Sequence, residues 1–357
     1  SKVNYVMPGI DVGVDEFHLS INFSCLTDRK ICINAVTVKD VNVTVKTDQI
    51  PSEETDDEIV SSEPVTDIST PYPIELSLLR LNNVNVTVDD MAIALGEFRT
   101  AADWQQRQIN IRPTEIRQLL VALPKAEDTE VTQEVQPSEP AIAEQTTGEM
   151  LKALFDKPLL SSLPEVHLPM DFNLPSLIGE DLLLTGVGPV QIDRLELQAV
   201  TKDSHIQIQS LKVNAPEGIA ALTGETSLSG NWPVNLTLNT TVNDPALKGE
   251  KIKLLLSGEV TGRLTVDLNT SGPIGAQLKA ETELATAGLP LSLTLESKQI
   301  RWPVTWKSDY RVNDTRLRLD GKATEYTLSL RSAVEGVEIP PASLLVDGKG
   351  NIQQFNL

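Results

Sequence analysis

Val41-Asn42-Val43-Thr44-Val45 occurs a second time as Val84-Asn85-Val86-Thr87-Val88. No other feature restricts the fold of this chain as much. A helix would scatter these valines around its circumference, whereas a strand places all of them on one face and the Asn and Thr on the other. The match extends upstream, with Ile33 to Asp40 aligning with Leu76 to Asn83. A chain that repeats one-faced strands poses one question: what covers the apolar face.

From Leu182 onward a second unit recurs. Leu184-Thr185-Gly186, Leu222-Thr223-Gly224, Leu256-Ser257-Gly258, Leu319-Asp320-Gly321 and Val346-Asp347-Gly348 each close an apolar run, and the glycine marks a bend, bulge or strand end. Between them lie further alternations, and Asn243-Asp244-Pro245, Gly272-Pro273 and Asn313-Asp314 supply turn chemistry. The spacing is irregular, which suits hairpins or meanders rather than a strict solenoid. Ile10 to Phe23 reads as two short strands, with Phe17, Leu19, Ile21 and Phe23 on one face. Glu115 to Leu123 is ambiguous, because Ile116, Leu119, Leu120 and Leu123 also fit a helical face.

The net charge is −20, but fifteen of those charges sit in two runs without a Lys or Arg, Asp48 to Asp67 and Glu127 to Glu149. Both runs hold too little apolar surface to offset their ordering entropy. Residues 48–70 read as a disordered insertion in a first β segment spanning 1–124, and 125–146 as a disordered linker. A short amphipathic helix follows, capped at Thr147, with Met150, Leu151, Leu154 and Phe155 as its stripe. With the Pro-rich crossover behind it, it fills 147–180, and a second β segment takes 181–357. The remaining charge balance is ordinary, and the acidity argues against binding nucleic acid or anionic headgroups over the whole surface.

Catalytic constellations are absent. His18, His167 and His205 lie far apart, and His18 and His205 fall in strand patterns where a solvent-facing or satisfied histidine is the plain reading. No nucleophile elbow, phosphate-cradling glycine loop, zinc spacing or calcium loop is present, so no enzyme activity, metal or cofactor is expected. Trp302 and Trp306 flank Pro303 and fit either the edge of a groove or ordinary rim packing. Cys25 and Cys32 bracket a turn between two apolar runs. Their spacing can staple a hairpin in an oxidising compartment, and two unrelated buried thiols are the alternative. No apolar run approaches the ~20 residues of a membrane span, and the chain reads as a piece of a longer protein.

The apolar face allows two architectures. Two sheets can seal each other as sandwiches, or one sheet can curl into a trough that leaves its face for an extended apolar guest. Aromatics are only 4% of a chain that is 40% hydrophobic, and covering helices are scarce, which leans toward the trough.

Leu81 to Asp90, Asp67 to Ile74, Pro164 to Pro169, Asn231 to Val234, Leu247 to Lys251 and Ile339 to Ala342 together resemble the TamB family, in order and over most of the chain. The resemblance implies an N-terminal periplasmic portion of an inner-membrane-anchored subunit of the translocation and assembly module. It implies an AsmA-like β-taco groove related to bridge-like lipid transfer proteins. The implied partners are phospholipid, the inner membrane through an anchor outside this chain, and a TamA-like Omp85 outer-membrane barrel through a missing C-terminal part. The alternative role is a chaperone-like scaffold that helps outer-membrane proteins and autotransporters by strand addition.

The expected fold is therefore all-β: an elongated, mostly antiparallel curled sheet forming a hydrophobic groove. Expected lining positions in the first segment are Val41, Val43 and Val45 with Val84, Val86 and Val88. In the second they are Val234, Leu236 and Leu238, then Leu264, Val266 and Leu268. Leu289, Leu291, Leu293 and Leu295 follow, and Leu328 and Leu330 complete the set. A slip of one residue would turn any of these strands inside out.

Overall fold

The computed structural model describes residues 3–49, 67–124, 155–160, 162–186, 188–245, 247–302, 309–337, 339–351 and 355–356. Most of both acidic runs, the expected helix up to Leu154 and Trp306 lie outside the described residues. The chain divides into two compact units, one of Ser1–Glu127 with His167–Pro216 and one of Asp128–Val166 with Glu217–Leu357. Both are all-β and mostly antiparallel.

The first unit holds β1 (Val3–Met7), β2 (Ile10–Asn22), β3 (Ile31–Val45), β4 (Thr70–Val88), β5 (Met91–Gln106), β6 (Gln108–Ile111), β7 (Thr114–Ala122), β8 (Asp171–Thr185), β9 (Val190–Lys202) and β10 (His205–Ala215). Ile10 to Asn22 is one strand, not two. Its apolar positions change parity at Asp15, which reads as a break in the sequence but is crossed by continuous pairing to β3. Neighbours pair antiparallel except at two joins, β3 with β4 and β8 with both β6 and β7, which run parallel. A parallel join cannot be made by a tight turn and needs a long return connection. The two acidic runs fall in those two connections.

At the first parallel join the sequence repeat becomes spatial. Val41 lies beside Val84, Val43 beside Val86 and Val45 beside Val88, and upstream Ile33 lies beside Leu76. On the opposite face the Asn85 amide donates to Asn42 Oδ1 at 3.3 Å.

The second unit is a meander of β11 (Gly218–Ser227), β12 (Pro233–Val242), β13 (Lys251–Glu259), β14 (Arg263–Ser271), β15 (Gly275–Glu283), β16 (Pro290–Trp302), β17 (Tyr310–Lys322), β18 (Glu325–Gly336), β19 (Ala342–Gly350) and β20 (Phe355–Asn356). Each strand pairs antiparallel with the next. The glycines of the recurring Leu-x-Gly unit have a geometric reason. Gly186, Gly224, Gly258 and Gly321 have φ between +115° and +148°, a conformation L side chains rarely adopt. A Cβ at Gly258 would stand 2.2 Å from the Arg263 carbonyl oxygen of β14.

Neither unit has the core of a sandwich. Cys32, Ala101, Val234 and Leu264 are the buried apolar side chains among the described residues. A sandwich buries the inner faces of both its sheets, so most inward residues on every strand would join that short list. Instead the apolar face is half-buried along its length, consistent with a single-layer groove.

Gly258→Ala should destabilise the second unit by more than about 1 kcal/mol, because φ is positive and the backbone opposite cannot yield. Gly275→Ala is the control, since its Cβ would meet nothing within 4 Å. Urea unfolding of both variants compares them directly.

Candidate functional site

In the second unit the register assembles the expected positions into rows. One row runs Leu236, Leu256, Val266, Ala280, Leu293, Leu319 and Leu328 across β12 to β18. The next runs Leu238, Leu254, Leu268, Leu278, Leu295, Leu317 and Leu330, and ends on Val346. Residues directly opposite in antiparallel pairs share a face, so each row is a contiguous apolar stripe across the strands. Val234, Leu264 and Leu291 lie two residues along, beside Gly258, Thr282 and Gly321. Leu289 does not belong to the strand. It sits at φ +46° in the turn before Pro290, with its N–H donating to Thr286 O.

The other face is polar. Ser292 donates to Asp320, as does Arg318, and these bonds hold the Asp320 carboxyl below its ordinary pKa, Ser292 contributing most. On β15 the exposed Gln277, Lys279 and Glu281 alternate with half-buried Leu278 and Ala280.

The first unit keeps its apolar residues on one face by a different device. Three adjacent rows cross seven strands. The aliphatic row is Val14, Val41, Val84, Leu95, Leu119, Leu182 and Ile192. Two positions away on each strand runs a row of alternating charge: Glu16, Lys39, Asn82, Glu97, Arg117, Glu180 and Arg194. Its contacts include Lys39 to Glu16 at 2.9 Å, Arg117 to Glu180 at 3.4 Å and Arg194 to Glu180 at 2.7 Å. Arg194 also binds Glu196, and holds that carboxyl below the ordinary range.

Between them lie Asp15, Asp40, Asn83, Gly96, Gln118, Asp181 and Asp193. Asp40, Asn83, Gln118 and Asp181 all have φ between +52° and +56°. A left-handed residue interrupts the alternation, so the apolar positions resume after a step of three: Val38 then Val41, Leu81 then Val84, Ile116 then Leu119. That step of three is why β7 resembles a helical stripe in the sequence. Asp and Asn tolerate the conformation best among side-chain-bearing residues, and the Asn83 amide donates to Asp40 Oδ1 at 2.9 Å across the parallel join.

The Pro-rich segment is extended where described and runs along strand ends. In the second unit the carbonyl of Phe155 accepts from Gly288 N–H, Leu160 donates to Leu284 O, and Val166 donates to Leu228 O. Trp232 packs there too, its Nε1 donating to Pro164 O at 3.2 Å. In the first unit Leu168 N–H reaches Asp203 O, Arg107 donates to Leu168 O, and His167 Nδ1 lies 3.0 Å from Asp203 Oδ1. His167 is thus a structural partner of the β9–β10 turn. From Asp171 the segment becomes β8, ten residues earlier than the sequence suggests, with Pro175 inside the strand where the pairing to β9 shifts register.

Cys25 and Cys32 are joined as a disulfide across the β2–β3 turn. Among the described residues no group of three or more His, Cys, Asp or Glu is placed to hold a metal, and no helix is long and apolar enough to cross a membrane.

The whole chain, residues 1–357, matches the family model described as TamB, N-terminal domain. A curated relative, the translocation and assembly module subunit TamB of Haemophilus influenzae strain Rd, is 28% identical over 370 residues. That match covers 98% of this chain and 28% of the relative, so this chain spans about a quarter of that protein's length. No solved structure matches.

Asn83→Val should lower the stability of the first unit by about 1–2 kcal/mol more than Asn83→Gly, the cost of forcing a β-branched residue into left-handed backbone. Both variants lose the bond to Asp40, so the difference in their urea midpoints isolates the backbone conformation.

Proposed function

This chain belongs to the TamB N-terminal domain family, and on that premise we propose that the apolar faces of its two units hold phospholipid acyl chains in passage between membranes. The observation that carries the reading is the pair of uninterrupted aliphatic rows across β12 to β18, left half-buried by protein. An open surface of that size is a liability unless something apolar occupies it.

The energetics fit movement rather than storage. Each buried CH₂ contributes about 0.8 kcal/mol, so an acyl chain of ~16 carbons gains on the order of 12 kcal/mol in a dry groove. Release in one step would be slow. Sliding from one strand to the next exchanges like for like, because the rows present Leu or Val at almost every step. Nothing in such a path needs a catalytic residue. Direction comes from the lipid supply at either end. Within the proposal the protein works in the periplasm, as an inner-membrane-anchored subunit of the translocation and assembly module, with a TamA-type barrel as its outer-membrane partner. The disulfide supports an oxidising compartment.

A photo-crosslinking residue at each position from Leu264 to Leu268 should give phospholipid adducts at Leu264, Val266 and Leu268 and none at Thr265 and Asp267. Adducts at neither parity would mean the face is covered by protein. Leu291→Arg should abolish co-purified acyl chains, read by mass spectrometry, with circular dichroism unchanged, since it places an unpaired cation in the groove. Full acyl occupancy in that variant, together with loss of function from proline at a sheet edge, would point to strand addition instead.

A further inference from the structure

The hairpin tip joining β2 to β3 is built unlike the other turns. Phe23–Asp28 forms a short 3₁₀ helix, closed behind by the Cys25–Cys32 bond. Its backbone is satisfied from within. Asn22 Oδ1 accepts from Ser24 N–H, Thr27 Oγ1 donates to Ser24 O, and Arg29 and Lys30 donate their N–H groups to Leu26 O and Cys25 O. The left-handed Arg29, at φ +56°, makes that closure possible.

What the tip shows to solvent is apolar. Phe23 is 70% exposed and Leu26 57%, with Ile31 at 38%. Tyr72 joins them at 52%. It precedes by two residues Ile74, the register partner of Ile31, so it stands level with the tip. Two cations, Arg29 and Lys30, flank the apolar group against one acid, Asp28. In a chain of net charge −20 this is a small positive site.

We propose that this tip is a membrane-surface contact, seating Phe23 and Leu26 at headgroup depth in a lipid surface that bears anionic lipids, with Arg29 and Lys30 against the headgroups. Three observations point to a bilayer. Apolar side chains partition into the interface, and a loop whose backbone groups already bond one another loses little on leaving water. The cations complement anionic lipid rather than the acidic surface of this chain itself. Tyr72 is of the residue type that settles at the headgroup level. The disulfide contributes by ordering the loop beforehand, so that insertion does not have to. This contact is separate from the groove: it concerns where the protein touches a membrane, not what lies on its apolar face.

Vesicle flotation of the full 357-residue chain tests the assignment. The chain should float with phosphatidylethanolamine vesicles containing phosphatidylglycerol, and less without it. Phe23→Ser with Leu26→Ser should cut the bound fraction roughly fivefold or more on both vesicle types. Arg29→Gln with Lys30→Gln should remove the preference for phosphatidylglycerol, about fivefold per charge at low salt. Circular dichroism and an intact disulfide establish that the variants fold. Leu291→Arg should float like the parent while losing its acyl chains, so the two readings fail separately. The proposal is overturned if the parent does not float, if the serine variant floats as well as the parent, or if sedimentation shows the tip buried in a dimer that the serine changes dissociate.

Discussion

Register between neighbouring strands is the constraint that everything else in this protein obeys. With apolar and polar residues alternating, a one-residue slip at any pairing would turn a strand's Leu and Val to water and its Asn, Lys and Glu inward. In the second unit each strand hands on directly to the next, and short turns such as those between β13 and β14 and between β17 and β18 fix the register there. The first unit cannot rely on turns at its two parallel joins. There the register rests on side chains: Asn83 on Asp40, Asn85 on Asn42, and the charged row from Glu16 to Arg194. Exposed ion pairs are each worth little, about 0–1 kcal/mol. Their use here is discrimination, because a shift by one would set Arg117 beside a residue other than Glu180.

The two units bend the same kind of sheet by different means. In the second, glycines on the inward parity take φ values closed to other residues and let the opposite backbone come close. In the first, the apolar parity reverses at the same level on all seven strands, and left-handed Asp40, Asn83, Gln118 and Asp181 mark that level on four of them. The reversal works only because all seven strands share it. One strand without it would present its valines outward beyond that point and could no longer pair face to face with its neighbours.

Much of this was legible in the sequence. The duplicated Val-Asn-Val-Thr-Val announced matched strands, and the Leu-x-Gly units marked where glycine was obligatory. What the sequence hid was whatever depends on non-neighbours. That the two copies lie side by side in parallel is a pairing between strands distant in sequence, which the copies themselves do not specify. The left-handed row was visible only as misleading local signals. The parity change at Asp15 made β2 resemble two strands, and left-handed Gln118 gave β7 the spacing of a helix, because a step of three means a new turn in one setting and a reversed pleat in the other. Leu289 was mistaken for strand since its parity is right, although Pro290 is where pairing begins. The disulfide was open between two readings because cysteine spacing fixes no distance.

A single-layer sheet also explains how so much apolar surface is left half-covered without unfolding the protein. In a sandwich each strand depends on the opposing layer, and an uncovered face removes the core. Here each strand is stabilised chiefly by its two neighbours, through backbone bonds and same-face pairs such as Leu254 with Leu268 or Leu295 with Leu317. The fold therefore does not depend on closing the groove. On the proposed reading, occupation by acyl chains would add burial to a structure that stands without it, and their departure would leave the bonds of the sheet intact. A protein whose core and cargo site were the same close-packed volume would have to repack each time a lipid moved. Separating what holds the strands together from what fills their apolar face lets the contents change while the sheet stays as it is.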